Sequence, residues 1–342
     1  MTTVARTTLA IDVRAVAPAG AHDVVVDVFE PEPVGDDPVV LCCAPGGGMS
    51  RGYFDLQAPP GFGNYSMAAH LVDRGFVVVT IDPPGIGESS VPDDGYALTP
   101  AVVADVHAYA FAEVLTRWPR AIAVGVGHSA GALLTVVQQA RHRTYAALGL
   151  LGFANGGHVP AEPTGPGAEA HDSRRRSRDS VRDPMAEARR ERFGLTVAEL
   201  SMIDDPEALQ RGIIELVRDR FGRPFPGGGT TASEFLLGGM TVPQPVLETL
   251  GGVRSPLLAV VGLTSMIDGS IAPEMAAIDV PVFLGLGGRD IAGVPHDIPA
   301  QFPGSRDITL FVLPDAGHNH NIAPNREALW TRLADWVRGI EP

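Results

Sequence analysis

The residues with the clearest chemical potential are Ser129, Asp290 and His318, each of which directly follows a strand-like run. Ser129 is the centre of a Gly-His-Ser-Ala-Gly stretch at 127–131, between an apolar run and a helix-like segment. A serine in a tight strand-to-helix turn projects its hydroxyl outward, and flanking glycines let neighbouring backbone pass closely. The free N–H groups and positive dipole of the helix N-terminus favour a developing oxyanion. We therefore predict that Ser129 is a nucleophile.

A second Gly-x-Ser-x-Gly match, centred on Ser50, lacks this context. A Pro-Gly-Gly-Gly stretch at 45–48 separates it from the preceding strand-like run, and aromatic residues and prolines follow where a helix should begin. Because the five-residue pattern is common in a glycine-rich chain, its surroundings decide between the two matches. They favour Ser129 over Ser50.

A serine hydroxyl is a poor nucleophile until a base accepts its proton, and that base needs an orienting acid. Asp290 follows a run at 281–286, and His318 follows a run at 308–313. Parallel α/β sheets place their chemistry in the loops at the carboxyl ends of the strands. We therefore expect Asp290 to be the acid and His318 to be the base.

Other titratable residues compete for these roles. His320 is the alternative base, and the glycine before His318 favours His318. The loop at 153–157 contains no carboxylate, which removes the other common position for the acid. His128 is interpreted as a packing and hydrogen-bonding residue because its side chain should point away from the pocket. Asp315 is interpreted as a residue that forms hydrogen bonds within its loop.

Strand-like runs that alternate with helix-like segments must position these residues. The runs lie at 8–15, 24–29, 39–43, 76–81, 121–126, 146–152, 280–286 and 308–313. Helices are predicted at 66–74, at 99–117 with Thr99 as N-cap, and at 326–338 with Asn325 as cap. Continuous apolar strands predict a mostly parallel eight-stranded sheet sandwiched by helices, an α/β fold. A short turn between the first two runs predicts an antiparallel edge hairpin.

The alternation breaks between the sixth and seventh runs. Residues 158–271 are predicted to form a mainly helical cap, and 1–157 with 272–342 form the core. An arginine cluster at 174–178 is interpreted as a solvated helix face, with contact to a substrate carboxylate as the alternative. The cap is rich in large apolar side chains that either line a pocket for a hydrophobic group or form its own core. These side chains belong to Phe193, Phe221, Phe225, Phe235, Met240 and Met266.

Composition excludes several function classes. All 26 basic residues among the 342 are arginine, so a lysine Schiff base, pyridoxal phosphate attachment and a P-loop lysine are excluded. A net charge of −14 disfavours nucleic acid and anionic membranes as partners. Adjacent Cys42 and Cys43 point to opposite faces of a strand, which argues against a disulfide. The histidines lack metal-ligand spacing, and the N-terminus lacks a secretion signal, so we expect a cytoplasmic protein.

Four stretches together resemble the α/β-hydrolase superfamily. The elbow around Ser129 and the order Ser, Asp, His match its pattern. Residues 76–89 are similar to the family's Asp-x-Arg-Gly-x-Gly-x-Ser turn, with Pro84 in place of the usual arginine. Residues 45–48 are similar to its His-Gly oxyanion loop, with Pro45 in place of the usual histidine. The resemblance implies the α/β-hydrolase fold, with the cap between strands six and seven.

The resemblance also implies the remaining parts of a site and its activity. The backbone N–H of Ala130 would be one oxyanion donor, and Gly47 or Gly48 would supply the second. The expected activity is serine hydrolysis of a carboxylic ester of a hydrophobic small molecule through an acyl-enzyme, as in carboxylesterases. No cofactor and no metal are required. Carbon–carbon bond or lactone hydrolysis, acyl transfer and a non-catalytic ligand receptor remain as alternatives.

Overall fold

An eight-stranded sheet forms the centre of the computed structural model, which describes residues 4–153, 197–227 and 234–340. The strands are β1 (Val4–Asp12), β2 (Asp23–Pro31), β3 (Val39–Ala44), β4 (Asp55–Leu56), β5 (Tyr65–Ser66), β6 (Val77–Ile81), β7 (Ile122–His128), β8 (Ala147–Leu151), β9 (Val282–Gly287) and β10 (Ile308–Leu313). The sheet order is β1-β2-β6-β3-β7-β8-β9-β10, and β4 pairs with β5 in a small separate sheet. Only β2 pairs antiparallel with its neighbours β1 and β6 within the large sheet. The predicted edge hairpin and mostly parallel sheet are confirmed.

Helices cover both faces of this sheet. They are α1 (Met67–Val72), α2 (Pro100–Leu115), α3 (Ala130–His142), α4 (Val197–Leu200), α5 (Pro206–Phe221), α6 (Glu234–Leu237), α7 (Gln244–Gly252), α8 (Ala259–Thr264), α9 (Ala272–Ala276) and α10 (Arg326–Arg338). Thr99 caps α2 as predicted, because its side chain accepts a hydrogen bond from Val102 N–H. Asn325 occupies the N-cap position of α10 as predicted, but its side chain forms no capping hydrogen bond. Its backbone is not extended, and its side chain donates to the carbonyl of Pro314 instead.

The apolar strands separate two hydrophobic cores. On one face, Cys42 and the other inward residues of the parallel strands pack with α2 and α3. On the opposite face, Cys43 packs in a core that includes Leu71 of α1 and the fully buried Trp330 of α10. The two adjacent cysteines are therefore free and point to opposite faces, as their strand position predicts. Burial of both faces explains why the strands carry continuous rather than alternating apolar residues.

The described parts of the segment between β8 and β9 contain helices α4 to α9, which are joined by turns and loops. Helices α4, α5 and α8 share a small core of their own, which includes Leu200, Ile213, Leu216, Val217, Val260 and Leu263. Helix α5 begins at the N-cap Asp205, whose side chain accepts from two backbone N–H groups, and ends at Gly222 in the left-handed conformation. The arginine cluster at 174–178 and Phe193 lie outside the described residues.

Candidate active site

Ser129 lies in the turn between β7 and α3, with a backbone conformation (φ 54°, ψ −120°) that residues other than glycine rarely adopt. The flanking glycines explain how this turn fits. A Cβ atom on Gly127 would lie 2.4 Å from the Cα of Ala132. A Cβ atom on Gly131 would lie 2.1 Å from the carbonyl oxygen of Ala44. Both positions require glycine, and the turn leaves Ser129 partly exposed at the carboxyl edge of the sheet.

Asp290 and His318 reach Ser129 from the loops that follow β9 and β10. The Nε2 atom of His318 lies 2.8 Å from the hydroxyl of Ser129, and its Nδ1 lies 2.7 Å from Oδ1 of Asp290. All three residues that the sequence selected are therefore in one hydrogen-bonded chain. Burial alone would raise the pKa of Asp290, but the charge of His318 and hydrogen bonds from His318 and His320 hold this pKa well below its usual value. Asp290 is thus an ionised acceptor.

Two further histidines, His320 and His128, lie near His318, but neither side chain forms a hydrogen bond with the hydroxyl of Ser129. The Nε2 of His320 lies 2.8 Å from Oδ2 of Asp290, so His320 binds the acid and not the nucleophile. The Nε2 of His128 lies 2.8 Å from the carbonyl oxygen of His318. Burial holds the pKa of His128 well below its usual value, so His128 is neutral and donates this hydrogen bond. The sequence analysis did not predict that His320 binds Asp290. The only sequence feature that pointed to it was its position two residues after His318.

The loop after β3 lies beside the turn that holds Ser129. A Cβ atom on Gly46 would be 3.3 Å from the Cβ of Ser129, and one on Gly47 would be 3.7 Å from the Cβ of Ala130. Among the described residues, the backbone N–H groups of Ala130, Gly47 and Gly48 donate to no other protein group. Gly47 therefore lies beside Ala130, and both Gly47 and Gly48 remain candidates for the second oxyanion donor.

The segment after α7 pairs with this same loop. The N–H of Ser255 donates to the carbonyl of Gly48, and the N–H of Ser50 donates to the carbonyl of Val253, both at 2.9 Å. The hydroxyl of Ser50 also lies 3.1 Å from the Val253 carbonyl. A short 3-10 turn, Arg51–Phe54, follows Ser50 in place of an α-helix. Ser50 is therefore part of the pairing between loop and inserted segment, and it does not occupy a strand-to-helix turn.

Arg51 binds acidic residues of the turn after β6, the turn in which Pro84 replaces the family's arginine. Its Nε donates to Asp27 at 2.8 Å, and its backbone N–H donates to Asp82 at 2.6 Å. Its guanidinium also contacts Asp82 and Glu88. Asp27 and Asp82 are fully buried, so Arg51 supplies the cation that they require. Arg51 carries no local sequence signal for this role, because its partners lie 24 to 37 residues away along the chain.

A small apolar cavity of about 20 Å³ lies between the loop at 45–48 and the inserted segment. Core residues such as Ile86 and Leu134 line one side of it, and Leu257 and Val261 line the other. Ala130 and the glycines at 46–48 form its wall nearest to Ser129. A volume of this size holds about one water-sized group. The cavity therefore offers an apolar space beside the candidate oxyanion donors.

Comparison with protein families gives one match that spans most of the chain. A model described as the alpha/beta hydrolase family matches residues 39–329. The chain belongs to the alpha/beta hydrolase family. A comparison with curated protein sequences gave no match. The family assignment therefore rests on the family model and agrees with the sheet order and the position of the Ser129 turn.

Solved structures show the same fold at low sequence identity. A carboxyl esterase from Bacillus coagulans is 16% identical with a TM-score of 0.61, and 99% of each chain is covered. A lipase in its open form is 19% identical with a TM-score of 0.60, over 98% of this chain and 99% of the lipase. A thermophilic esterase from Thermogutta terrifontis is 18% identical with a TM-score of 0.53, over 98% of this chain and all of the esterase. The α/β-hydrolase fold predicted from the sequence is confirmed.

The large apolar residues of the inserted segment in this alpha/beta hydrolase pack mostly against protein. Phe221 packs on the small core of the insertion, and Phe225 packs on the main core, over Gly85. Met240 is buried in the second main core, whereas Met266 is exposed. The side chain of Phe235 lies outside the described residues. Four of the six apolar residues therefore do not line the cavity beside Ser129.

Within the part of the chain that the structure describes, no group of three or more histidine, cysteine, aspartate or glutamate side chains is arranged to hold a metal ion. No helix there is long and apolar enough to cross a bilayer.

Proposed function

We propose that this protein is a serine esterase that cleaves a carboxylic ester of a small hydrophobic molecule through an acyl-enzyme. One observation carries the proposal: the hydroxyl of Ser129 lies 2.8 Å from Nε2 of His318, which is itself bound to the ionised Asp290. A neutral imidazole in this position accepts the serine proton as the oxygen attacks the ester carbonyl. Family membership is consistent with this chemistry, although the fold hosts several reactions.

The proposed reaction has two halves. Ser129 Oγ bonds to the carbonyl carbon while its proton moves to His318 Nε2, and the negative oxygen lies between the N–H groups of Ala130 and Gly47, with Gly48 as the alternative donor. The tetrahedral species collapses, and His318 gives the proton to the departing alcohol. Water then gives a proton to His318 and attacks the acyl-Ser129 carbonyl. The bond between the acyl carbon and Ser129 Oγ then breaks, His318 returns its proton to Oγ, and the carboxylic acid leaves, without a cofactor or a metal ion.

The apolar cavity next to Ala130 supports a small apolar acyl group. Its walls combine core side chains with Leu257 of the inserted segment, and its volume is about 20 Å³. We therefore expect acetyl and propionyl esters to react faster than long-chain esters. We also propose that residues 158–271 form the cap over this site, and that the protein is cytoplasmic.

The test is hydrolysis of p-nitrophenyl esters from acetate to long acyl chains by wild type and two serine variants. Ser129→Ala is expected to lower kcat by at least about 1,000-fold, because the nucleophile is lost. Ser50→Ala is the matched control, since it removes a serine from the second Gly-x-Ser-x-Gly motif. It should retain kcat within about tenfold, the scale of one lost hydrogen bond.

Labelling with a fluorophosphonate separates the alternatives. Labelling at Ser129 without hydrolysis of any ester would reject the esterase proposal and point to lactone or carbon–carbon bond cleavage, or to acyl transfer. Folded protein that neither hydrolyses esters nor becomes labelled would point to a ligand receptor. Equal activity of Ser129→Ala and wild type would reject Ser129 as the nucleophile.

A further inference from the structure

The carboxylate of Asp290 is bound by two histidines, one on each oxygen. His318 Nδ1 lies 2.7 Å from Oδ1, and His320 Nε2 lies 2.8 Å from Oδ2. Backbone N–H groups of Gly287 and Ala292 add contacts of 3.2 Å and 3.1 Å. Asp290 and His320 are both at most 1% exposed. The reaction proposed above assigns no role to His320.

The contacts of His320 determine where its proton lies. An ionised carboxylate only accepts hydrogen bonds, so the Nε2 that faces Asp290 carries the hydrogen. The Nδ1 of His320 is buried and has no hydrogen-bond partner among the described residues. A second proton on Nδ1 would create a buried N–H group without an acceptor, which is costly. His320 therefore presents Nε2–H to Oδ2 of Asp290, and no acceptor for an Nδ1–H lies among the described residues.

Within the described parts of the chain, the titratable groups around His320 are His318, His128, Asp290 and, behind His128, Tyr53. The His320 ring centroid lies 6.4 Å from that of His318 and 5.6 Å from that of His128. The hydroxyl of Tyr53 lies 3.4 Å from Nε2 of His128, and burial raises the pKa of Tyr53, so Tyr53 is neutral. Asp290 is thus the one anion in this group, and His318 and His320 share it.

We propose that His320 is a positioning residue that holds the plane of the Asp290 carboxylate so that Oδ1 faces Nδ1 of His318. This inference rests on the serine esterase function proposed above. A carboxylate held at both oxygens keeps Nδ1–H of His318 engaged, which leaves Nε2 as the lone-pair nitrogen that faces Ser129. The donor on Oδ2 also withdraws charge from the carboxylate, which makes Asp290 less basic toward His318.

Local chain geometry explains the spacing of two residues between the histidines. His320 begins a 3-10 turn, His320–Ile322, and its backbone N–H donates to the carbonyl of His318 at 3.0 Å. The same carbonyl accepts from Nε2 of His128. The turn therefore directs both imidazoles toward Asp290, one from each side.

The test compares His320→Ala with His320→Gln, whose side-chain amide places an N–H donor at a similar distance from the backbone. His320→Ala should lower kcat about 10- to 100-fold, the scale of a lost hydrogen bond to a charged group, with KM changed less than about twofold. In the pH profile of kcat/KM for His320→Ala, the acidic limb should move to higher pH. The reason is that a more basic Asp290 favours the imidazolium form of His318. His320→Gln should restore kcat to within about threefold and return the limb toward wild type.

Other outcomes would overturn the inference. Wild-type kcat and pH profile in His320→Ala would do so, as would a folded His320→Gln that is as defective as His320→Ala. Nitrogen-15 NMR of wild type is independent of whether the variants fold. It should show that Nε2 of His320 carries a hydrogen that is bonded to Asp290, and an Nε2 without hydrogen would reject the proposal. Activity that survives Ser129→Ala would instead reject the esterase mechanism itself.

Discussion

Replacement of Gly131 by alanine tests whether the turn around Ser129 depends on the close approach between α3 and the end of β3. The added Cβ would lie 2.1 Å from the carbonyl oxygen of Ala44 and 2.5 Å from that of Pro45. To reach 3.0 Å from Ala44 O, this Cβ would have to move about 0.9 Å away, and both obstacles are backbone atoms that cannot rotate aside. Overpacking of this kind costs about 1–3 kcal/mol, and we expect the upper end.

Gly251→Ala is the matched control, because Gly251 lies in α7 and a Cβ there would meet no atom within 4 Å. Alanine at such a helical position stabilises by about 0.5–1 kcal/mol. The change from glycine to alanine should therefore lower the free energy of unfolding at position 131 and raise it at position 251. In thermal melts, Gly131→Ala should lower Tm by about 4 °C, whereas Gly251→Ala should leave it unchanged or raise it.

The displacement caused by Gly131→Ala also reaches the candidate oxyanion loop, because Pro45 lies two residues before Gly47. A shift near 1 Å in a positioned group can reduce the rate about 100-fold. We therefore expect kcat on p-nitrophenyl acetate to fall by about that factor, with Gly251→Ala unaffected. Unchanged stability and kcat in Gly131→Ala would refute the argument from close approach.

Three further predictions concern the cavity, the buried ion network and acid stability. Leu257→Ala enlarges the cavity and should raise the ratio of kcat/KM for butyrate esters to kcat/KM for acetate esters at least about tenfold, the scale of one methylene in a pocket. Leu247→Ala is remote from the cavity and should not change this ratio. Arg51→Met should lower the free energy of unfolding in urea by about 3–5 kcal/mol, since it removes the cation that pairs with buried Asp82, while Arg6 still pairs with Asp27; a loss below about 1 kcal/mol would contradict this. Burial without hydrogen bonds lowers the pKa of His107 to about 3 in the folded protein. The unfolded chain therefore binds an extra proton at this histidine below about pH 6.5, and the free energy of unfolding falls as the pH decreases toward 3. His107→Leu should therefore reduce the stability loss between pH 7 and pH 5 by about 2 kcal/mol, and an unchanged loss would show that His107 is not buried in its neutral form.

The sequence was sufficient to predict the sheet and the Ser129 turn because their signals are local. Continuous apolar runs mark strands that are buried on both faces, and the glycines around Ser129 mark a turn where Cβ atoms do not fit. The positions of Asp290 and His318 followed from the rule that parallel strands end at one edge of the sheet. These inferences needed no information about contacts between distant residues.

The residues that sequence reasoning missed act through such distant contacts. Arg51 takes its role from Asp27 and Asp82, which come from other strands and turns. Gly152 is another example, since a Cβ there would lie 3.1 Å from the ring of His318. A single arginine or glycine carries no periodic signal, so its partners become apparent only when the chain is folded. His320 was noticed, but as a competing base, because its partner oxygen on Asp290 could not be assigned from spacing.

The inserted segment shows most clearly why side-chain patterns were insufficient. Its carbonyl at Leu236 accepts a hydrogen bond from the backbone N–H of His318 at 2.9 Å, and its residues Val253 and Ser255 pair with the loop that contains Gly48. These are main-chain contacts, so they do not depend on which side chains the segment carries. The insertion between β8 and β9 therefore supports both the candidate base loop and the candidate oxyanion loop. Because the same segment also contributes Leu257 to the cavity, a change in its backbone would alter substrate fit and the geometry of both loops together.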